Sequence, residues 1–220
     1  MRKAYFNWSS GKDSALALYY AMQSNYHVSA LFSVIKKETA KIAMHEISLA
    51  LLKRQAEAIG IPLITLAFDT LQPTAAYTSA MQRQMDYFKQ QDIHVAIFGD
   101  LYLEQLKKNR EHNCNAAGMS AVFPLWKIPQ EQIMSEFLHL GFKAIVTCID
   151  NAVLDKSFVG RIIDETFLND LPSNVDICGE NGEYHSFVFD GPIFKHPVQF
   201  KLVNKYYTDY SNADGPPPNR

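Results

Sequence analysis

The sequence predicts an α/β protein: a parallel sheet with helices on both faces, followed by a smaller C-terminal α+β lobe. Short apolar runs alternate with amphipathic helical patterns through the first 128 residues, and this alternation is typical of a parallel sheet covered by helices. The remainder departs from the alternation and is rich in Gly, Glu and aromatic residues near 177–194. Of the 220 residues, 47% are hydrophobic and 20% are charged, so the chain can bury a core of this size.

Hydrophobic periodicity and end signals place the elements of the first part. Strands are predicted over residues 3–8, 27–34, 62–68, 94–98 and 120–124. Helices are predicted over residues 13–23, 47–59, 74–91 and 103–117. Gly60 is a natural C-terminal glycine for the second helix, and Thr74 is expected to cap the third. Right-handed crossovers should bring the loops after residues 8, 34, 68 and 99 to one edge, where ligands bind.

The part from residue 129 to 210 is predicted to form the smaller lobe. A helix over 129–140 and a strand over 143–149 continue the alternation, and a helical stretch follows near 158–169. Residues 198–207 alternate in part, as a half-exposed strand does. The tail 211–220 contains three consecutive prolines and is predicted to be disordered.

Composition argues against several classes of function, although a local basic patch stays possible. The formal net charge is −2, whereas proteins that grip nucleic acid through its phosphates usually carry a basic excess. The apolar runs are too short to span a bilayer and the start lacks a signal-peptide pattern, so we expect a soluble, cytoplasmic protein. The three cysteines are widely spaced, which predicts reduced thiols rather than a zinc or iron–sulfur site.

The first strand leads into a turn that opens a helix and has the composition of a phosphate-binding loop. The turn reads Ser9, Ser10, Gly11, Lys12, Asp13 and Ser14. Its backbone N–H groups and the positive end of the helix dipole would face an anion. We expect exposed side chains here, with Lys12 neutralising a phosphate and Asp13 holding magnesium. The spacing is too short for a Walker A motif, and the alternative interpretation is an ordinary helix start capped by Ser9 or Ser10.

This loop resembles the Ser-Gly-Gly-x-Asp-Ser loop of the N-type ATP pyrophosphatases. The resemblance implies a nucleotide α-hydrolase, Rossmann-like fold in which residues 1–128 bind ATP. It also implies that ATP is cleaved to AMP and pyrophosphate while a substrate is adenylated. Ser10 stands where those proteins have glycine. If this position needs a positive φ, serine costs about 1–2 kcal/mol there.

Further segments make the chain resemble the diphthine–ammonia ligase (diphthamide synthase) family over about residues 4–205. They are Phe-Gly-Asp at 98–100, Pro-Leu-Trp at 124–126, Leu-Gly-Phe-Lys-Ala-Ile-Val at 140–146, Val-Gly-Arg-Ile-Ile-Asp at 159–164, Cys-Gly-Glu-Asn-Gly-Glu-Tyr-His-Ser-Phe-Val at 178–188 and Asp-Gly-Pro-Ile-Phe at 190–194. The block at 178–188 looks like the family's Gly-Glu-x-Gly-Glu signature. The chain departs from the family pattern at 105–110, where only the basic character is kept, and at His45-Glu46.

The resemblance implies an ATP-dependent amide ligase that adenylates a carboxylate and then transfers ammonia. Its cofactors would be ATP and Mg²⁺, with free ammonia as the nitrogen donor. The acceptor would be diphthine on an elongation factor if the host has it, and otherwise an unknown carboxylate. Gly99 and Asp100 would bind the nucleotide, and Arg161 would stabilise charge on the α-phosphate. The oligomeric state stays open, with a homodimer among the options.

The two glutamates of the block have a chemical interpretation of their own. Glu180 and Glu183 lie three residues apart in a turn bracketed by Gly179 and Gly182, so both carboxylates are expected to face one pocket near the phosphate loop. There they could hold an ammonium ion and accept its proton, or bind a second magnesium. The alternative is a solvated acidic turn. At the level of function, the alternatives are a tRNA-modifying ATP pyrophosphatase and a non-catalytic nucleotide-binding sensor.

Overall fold

The structure, a computed structural model, describes residues 1–42, 47–69, 74–203 and 205. Its strands are β1 Arg2–Asn7, β2 Tyr26–Lys36, β3 Lys41–Ile42, β4 Leu63–Phe68, β5 Val95–Ile97, β6 Ser120–Val122, β7 Lys143–Ile149 and β8 Tyr184–Asp190. Its α-helices are α1 Lys12–Gln23, α2 Leu49–Ile59, α3 Thr74–Gln90, α4 Glu104–Ala116, α5 Gln130–His139 and α6 Glu165–Asp170. A short 3₁₀ helix spans Lys156–Phe158.

The main sheet confirms the predicted α/β class. Five strands run parallel in the order β4-β2-β1-β5-β6, and the short β3 pairs antiparallel with the end of β2. Successive side chains of a strand point to opposite faces of a sheet. Accordingly, Phe6 packs in one buried cluster with residues of α1 and α2, while Tyr5 packs in the other with residues of α3 and α4. Helices therefore cover both faces, as predicted.

Helix ends follow the local sequence signals. α2 ends at Ile59, and Gly60 adopts the left-handed conformation with a φ of 85°, as its predicted C-terminal position requires. Ser48 is the N-cap of α2 and accepts a hydrogen bond from the N–H of Leu51. Thr74 is the first residue of α3, and its side chain lies outside the described part of the structure.

The second sheet corrects one expectation about the C-terminal part. β7 does not continue the parallel sheet but pairs antiparallel with β8. Its other edge is bound by the segment before α6, since the N–H of Val146 donates to the carbonyl of Arg161 and that of Gly160 donates to Val146. Because both edges of β7 are already hydrogen-bonded, β7 has no free edge with which to join the main sheet. The predicted helical stretch at 158–169 is also split, into the 3₁₀ helix and α6.

The segment after β8 is irregular where a strand was predicted. Residues 198–203 and 205 have no strand, so the prediction for 198–207 is wrong over them. Side chains hold this segment instead, because the Phe200 ring packs 5.6 Å from Phe187 and 5.2 Å from Phe189 between centroids. The predicted disordered tail, 211–220, lies outside the described residues.

The two parts of the chain share one buried core. The same hydrophobic cluster contains residues of β1, α1 and α2 together with residues of α5, β7 and β8. The predicted division into residues 1–128 and 129–210 therefore stays a prediction. Within the described ranges, no helix is both long and apolar enough to cross a membrane.

Candidate functional site

The predicted phosphate loop links β1 to α1 at the carboxyl edge of the main sheet. The N-cap of α1 is Gly11, which has no side chain to cap the helix, so neither Ser9 nor Ser10 caps it as the alternative interpretation required. Ser9 instead binds within the loop, where its Oγ lies 2.9 Å from the Oγ of Ser14 and accepts a hydrogen bond from the N–H of Gly11. An uncapped helix start of this kind leaves donors for an anion.

Ser10 adopts the conformation that a glycine would take at this position. Its φ is 75°, and the residue is fully buried. A left-handed conformation costs a non-glycine residue about 1–2 kcal/mol. The Oγ of Ser10 is buried without a hydrogen-bond partner among the described residues. The strain expected from the serine-for-glycine difference is therefore present in the structure.

Lys12 and Asp13, at the end of the phosphate loop, form an ion pair. The Nζ of Lys12 lies 2.8 Å from each carboxylate oxygen of Asp13, also donates to the carbonyl of Cys178, and lies 5.5 Å from the centre of the Tyr184 ring. Burial is the largest single influence and lowers the pKa of Lys12. The negative charge of Asp13, its hydrogen bond to Lys12 and the nearby Tyr184 and Cys178 together outweigh burial, so the net shift of the pKa is upward and Lys12 stays charged. The expectation of exposed side chains is wrong for Lys12, which is only 3% exposed because residues near 178–184 cover it.

The segment 176–183, here called the acidic loop, lies against the phosphate loop. Besides the bond from Lys12 to the Cys178 carbonyl, the N–H of Lys12 donates to the Oγ of Ser186 in β8 over 3.1 Å. Gly179, with a φ of 66°, permits this path, since a Cβ there would come within 2.8 Å of the Tyr184 ring. The structure therefore brings together two segments that are about 170 residues apart in the sequence.

Glu180 faces the phosphate loop and the end of β5. Its Oε1 accepts a hydrogen bond from the N–H of Leu101, just after β5, over 3.2 Å. Burial, followed by the negative charge of Asp13, raises the pKa of Glu180 to about 8. A carboxyl group with a pKa near neutrality can both hold and release a proton under working conditions.

Glu183 lies in a different environment from Glu180. Its carboxylate accepts hydrogen bonds from the N–H groups of Asp176 and Asn181 and from the side-chain amide of Asn181, each over 3.1 Å. These bonds close the acidic loop on itself, and the residue is only 8% exposed. Glu180 therefore contacts the end of β5, whereas the carboxylate of Glu183 binds its own loop, and the expectation that both carboxylates face one pocket stays a prediction.

Gly99 and Asp100 follow β5 at the same edge. A Cβ on Gly99 would lie 3.1–3.2 Å from backbone atoms of Asp13 and Ser14, so glycine permits close contact between the end of β5 and the start of α1. Asp100 forms an ion pair with Arg110 of α4 at 3.4 Å. Asp100 is not the N-cap of α4, because that position belongs to Leu103.

Arg161 and His185 have other surroundings. Arg161 binds Asp170 at 2.8 Å and lies over the rings of Phe158 and Phe167, and none of its described contacts reaches the phosphate loop. Its expected action on the α-phosphate stays a prediction. Burial, together with the charge of Lys12, lowers the pKa of His185 to about 4, so its imidazole is neutral. His45 and Glu46 lie outside the described residues.

Three site-supporting residues were missed by sequence reasoning. The hydroxyl of Tyr102 donates to Asp176, which also accepts from Gln130 over 2.9 Å, so Tyr102 and Asp176 tie the acidic loop to the segment after β5. Gln55 binds the phosphate loop from α2. One signal could have found Gln55: it is a polar residue in the buried stripe that α2 presents with Leu52, Ala56 and Ile59.

Metal binding was expected at Asp13. No cluster of three or more His, Cys, Asp or Glu side chains suited to a metal ion occurs within the described ranges. Mg²⁺ is usually held by one or two carboxylates and by the phosphates of the substrate rather than by a cage of protein ligands. Asp13 offers one such carboxylate, whose two oxygens accept from Lys12, and its binding of Mg²⁺ stays a prediction.

The cysteines fit the expectation of reduced thiols. Among the described residues, none of Cys114, Cys148 and Cys178 forms a disulfide. Burial raises the pKa of Cys114 to about 11 and that of Cys178 to about 12, which keeps both in the unreactive thiol form.

Comparison with known proteins agrees with the resemblance seen in the sequence. Residues 1–121 match the diphthamide synthase N-terminal domain, and residues 129–213 match the diphthamide synthase C-terminal domain. The diphthine–ammonia ligases of Homo sapiens and Bos taurus are each 22% identical over 217 residues, covering 86% of this chain and 79% of theirs. That of Danio rerio is 23% identical over 211 residues, covering 86% and 83%.

Among solved structures, a predicted subunit of a tRNA methyltransferase from Methanocaldococcus jannaschii is similar, with a TM-score of 0.44 and 12% identity. The similarity covers 65% of this chain and 80% of that one. The two family matches, by contrast, span the phosphate loop, the end of β5 and the acidic loop. This chain belongs to the diphthamide synthase family.

Proposed function

We propose that this protein is an ATP-dependent amide ligase that joins ammonia to a carboxylate and forms AMP and pyrophosphate. The observation that carries the proposal is the contact between the two loops. Lys12 of the phosphate loop donates to the Cys178 carbonyl, and Glu180 of the acidic loop accepts from the N–H of Leu101 at the end of β5. The two contacts therefore bring the proposed nucleotide loop and a proton acceptor together at one edge of the sheet.

The phosphate loop suits the β- and γ-phosphates of ATP. α1 begins there without a side-chain cap, the Oγ of Ser10 is buried and has no hydrogen-bond partner in the described part of the chain, and Lys12 is held in its charged form. Hydrogen-bond donors and a fixed cation are what a phosphate group needs. Asp13 would hold Mg²⁺ together with those phosphates, and the ion would supply charge neutralisation there.

The proposed reaction has two steps. A carboxylate oxygen of the acceptor attacks the α-phosphorus of ATP, the bond to the β-phosphate breaks, and pyrophosphate leaves with its electron pair. Ammonia then attacks the acyl carbon of the adenylate, one proton passes from nitrogen to a base, and AMP leaves as the amide forms. Lys12 stabilises the charge on the departing phosphates in the first step.

Glu180 is the proposed base of the second step. It lies on the side of the acidic loop that faces Lys12 and the end of β5, and its raised pKa suits a group that takes the one proton that nitrogen loses after ammonia has attacked. Glu183, by contrast, holds the acidic loop closed. Its proposed contribution is to keep Glu180 in place, rather than to contact ammonia.

The proposed acceptor is the carboxylate of diphthine on an elongation factor, because the similar curated proteins are named diphthine–ammonia ligases. The departure of residues 105–110 from the family pattern lies in α4, which follows the end of β5 in the chain. That helix carries Arg110, paired with Asp100, at the rim of the proposed site.

The experiment incubates the pure protein with ATP, magnesium, ammonium chloride and diphthine-bearing elongation factor, and separates the nucleotide products. We expect AMP, pyrophosphate and amide in equal amounts, with no amide when either acceptor or ammonium is omitted. Formation of ADP and phosphate would contradict the proposed class of reaction. AMP formation that depends on added tRNA would instead support a tRNA-modifying enzyme, and ATP binding without turnover would support a sensor.

A further inference from the structure

α2 contributes one fully buried polar side chain, Gln55, that lies between the phosphate loop and β8. Its amide nitrogen Nε2 donates to the carbonyl of Ser10 over 3.2 Å and to the carbonyl of Val188 over 2.6 Å. Its amide oxygen Oε1 accepts from the indole N–H of Trp8 over 3.0 Å. Gln55 and the Trp8 indole are buried, so none of these bonds has water as a ready substitute.

The orientation of this amide follows from the chemistry of its neighbours. An indole N–H can only donate and a backbone carbonyl can only accept. The Gln55 oxygen must therefore face Trp8, and the nitrogen must face Ser10 and Val188. Trp8 immediately precedes the phosphate loop, so one glutamine side chain binds the loop at two points, Trp8 and Ser10.

Ser10 is the residue that most needs such support. It is held at a φ of 75°, which costs a serine about 1–2 kcal/mol relative to an allowed conformation. Two donors fix its carbonyl: the Nε2 of Gln55 and the N–H of Val188, the latter over 3.0 Å. A strained residue persists only where the surrounding structure determines its conformation.

We infer that Gln55 is a positioning residue for ATP: it fixes the strained turn at Ser10, and so sets the geometry in which the phosphate loop meets the nucleotide. The inference rests on the proposed function in one respect, that the loop binds ATP. It also explains how a serine can occupy the position that glycine holds in the resembling loop, since the amide of Gln55 offsets the strain that glycine would avoid.

The test compares ATP affinity with thermal stability in matched variants. Gln55→Met keeps the length and shape of the side chain but removes all three hydrogen bonds. Leu52→Ala is the control, because Leu52 lies one turn earlier in α2, is equally buried and makes no polar contact with the loop. We expect Gln55→Met to weaken the Kd for ATP about tenfold. Leu52→Ala should lower Tm and leave the Kd unchanged.

A second comparison asks whether Gln55 acts through the strain at Ser10. Gln55→Met is introduced again into a Ser10→Gly parent, where glycine adopts the positive φ without cost. We expect the loss of affinity caused by Gln55→Met to shrink to about twofold relative to that parent. An equal loss in both parents would overturn the coupling to Ser10.

Two further results separate this inference from the proposed function. If the wild-type protein fails to bind ATP, the proposed function itself is contradicted. If the wild type binds ATP and Gln55→Met binds it equally well despite a lower Tm, only the inference about Gln55 is overturned. Should Gln55→Met fold poorly, Trp8→Phe removes the donor that orients the amide and should weaken the Kd about threefold.

Discussion

The phosphate loop and the acidic loop are held in place by different groups. The phosphate loop buries a cation, Lys12, and depends on groups outside itself, namely the Cys178 carbonyl, Gln55 and β8. The acidic loop carries its own support, because Glu183 accepts N–H bonds from within the loop and leaves Glu180 to face outward. The acidic loop therefore has an internal carboxylate support in addition to the bonds that Tyr102 and Gln130 make to Asp176.

This difference predicts how each loop responds to substitution. Changes in the phosphate loop should affect nucleotide binding and, through the buried ion pair, stability. In the acidic loop, the effect should depend on which glutamate is changed, since Glu180 and Glu183 differ in what they contact. The variants below test the comparison in order of expected effect.

The largest effect is expected for Lys12→Ala. Loss of the cation should reduce ATP turnover by about a thousandfold or more, since a positioned charge on transferring phosphates is worth several kcal/mol. Because Lys12 is buried, the variant also leaves Asp13 without its partner and should lose about 3–5 kcal/mol of stability, measured by urea unfolding. The double variant Lys12→Met with Asp13→Asn should recover stability but not turnover. A double variant that is as unstable as Lys12→Ala would contradict the ion-pair explanation.

The next largest effect is expected for Glu180→Gln, which should reduce catalysis without reducing stability. Glu180→Gln keeps the shape of the side chain and an oxygen for the Leu101 N–H, but removes the base. Amide formation should fall about 100- to 1000-fold, while the Kd for ATP and the Tm at neutral pH change little. Steady-state amide formation and calorimetric ATP titration measure the two quantities. A variant that makes amide at the wild-type rate would exclude Glu180 as the base.

Glu183→Gln should affect stability more, and amide formation less, than Glu180→Gln does. The carboxylate accepts from three N–H groups through its two oxygens. The side-chain amide of glutamine has only one acceptor oxygen. We expect a loss of about 1–3 kcal/mol in the free energy of unfolding, and a fall of about tenfold in amide formation as Glu180 loses its position. If Glu183→Gln lost amide formation without losing stability, Glu183 would have to act directly on the substrate.

The smallest effect concerns pH. Glu180 binds its proton more tightly in the folded state, with a pKa of about 8, than an ordinary glutamic acid does in the unfolded chain. Its contribution to stability is therefore complete below its ordinary pKa and is lost as the pH rises through about 8. The Tm of the ligand-free protein should fall by a few degrees between about pH 6 and pH 9. This fall should be smaller in Glu180→Gln, and an identical slope would contradict the assigned pKa.

The sequence was sufficient to predict most of the main sheet. Alternating apolar runs and helical stripes set the strands and helices of the first part, and Gly60 marked the end of α2 because a left-handed residue was needed there. The pairing of β7 with β8 could not be predicted in this way. β7 has the same local pattern as a parallel strand, and only contacts distant in the sequence decide which edge it joins.

The candidate site was predictable in its residue types but not in its division of tasks. Glu180 and Glu183 are identical side chains in one short turn. Their spacing does not indicate which of the two carboxylates accepts hydrogen bonds from the backbone N–H groups of the turn. The burial of Lys12 was also missed, because it depends on Cys178 and Tyr184 far along the chain. The predicted cation, base and nucleotide loop lie at one edge of the sheet, whereas Arg161 binds Asp170 elsewhere.

The central claim is that the two loops form one site in which adenylation precedes amide formation. The most direct test is a single turnover of Glu180→Gln with ATP labelled in the γ-phosphate, acceptor and ammonium. The account predicts that about one labelled pyrophosphate is released per enzyme at close to the wild-type rate, with amide formation at least about 100-fold slower, because only the second step needs the base. Labelled inorganic phosphate, or a parallel loss of pyrophosphate release and amide formation, would contradict it.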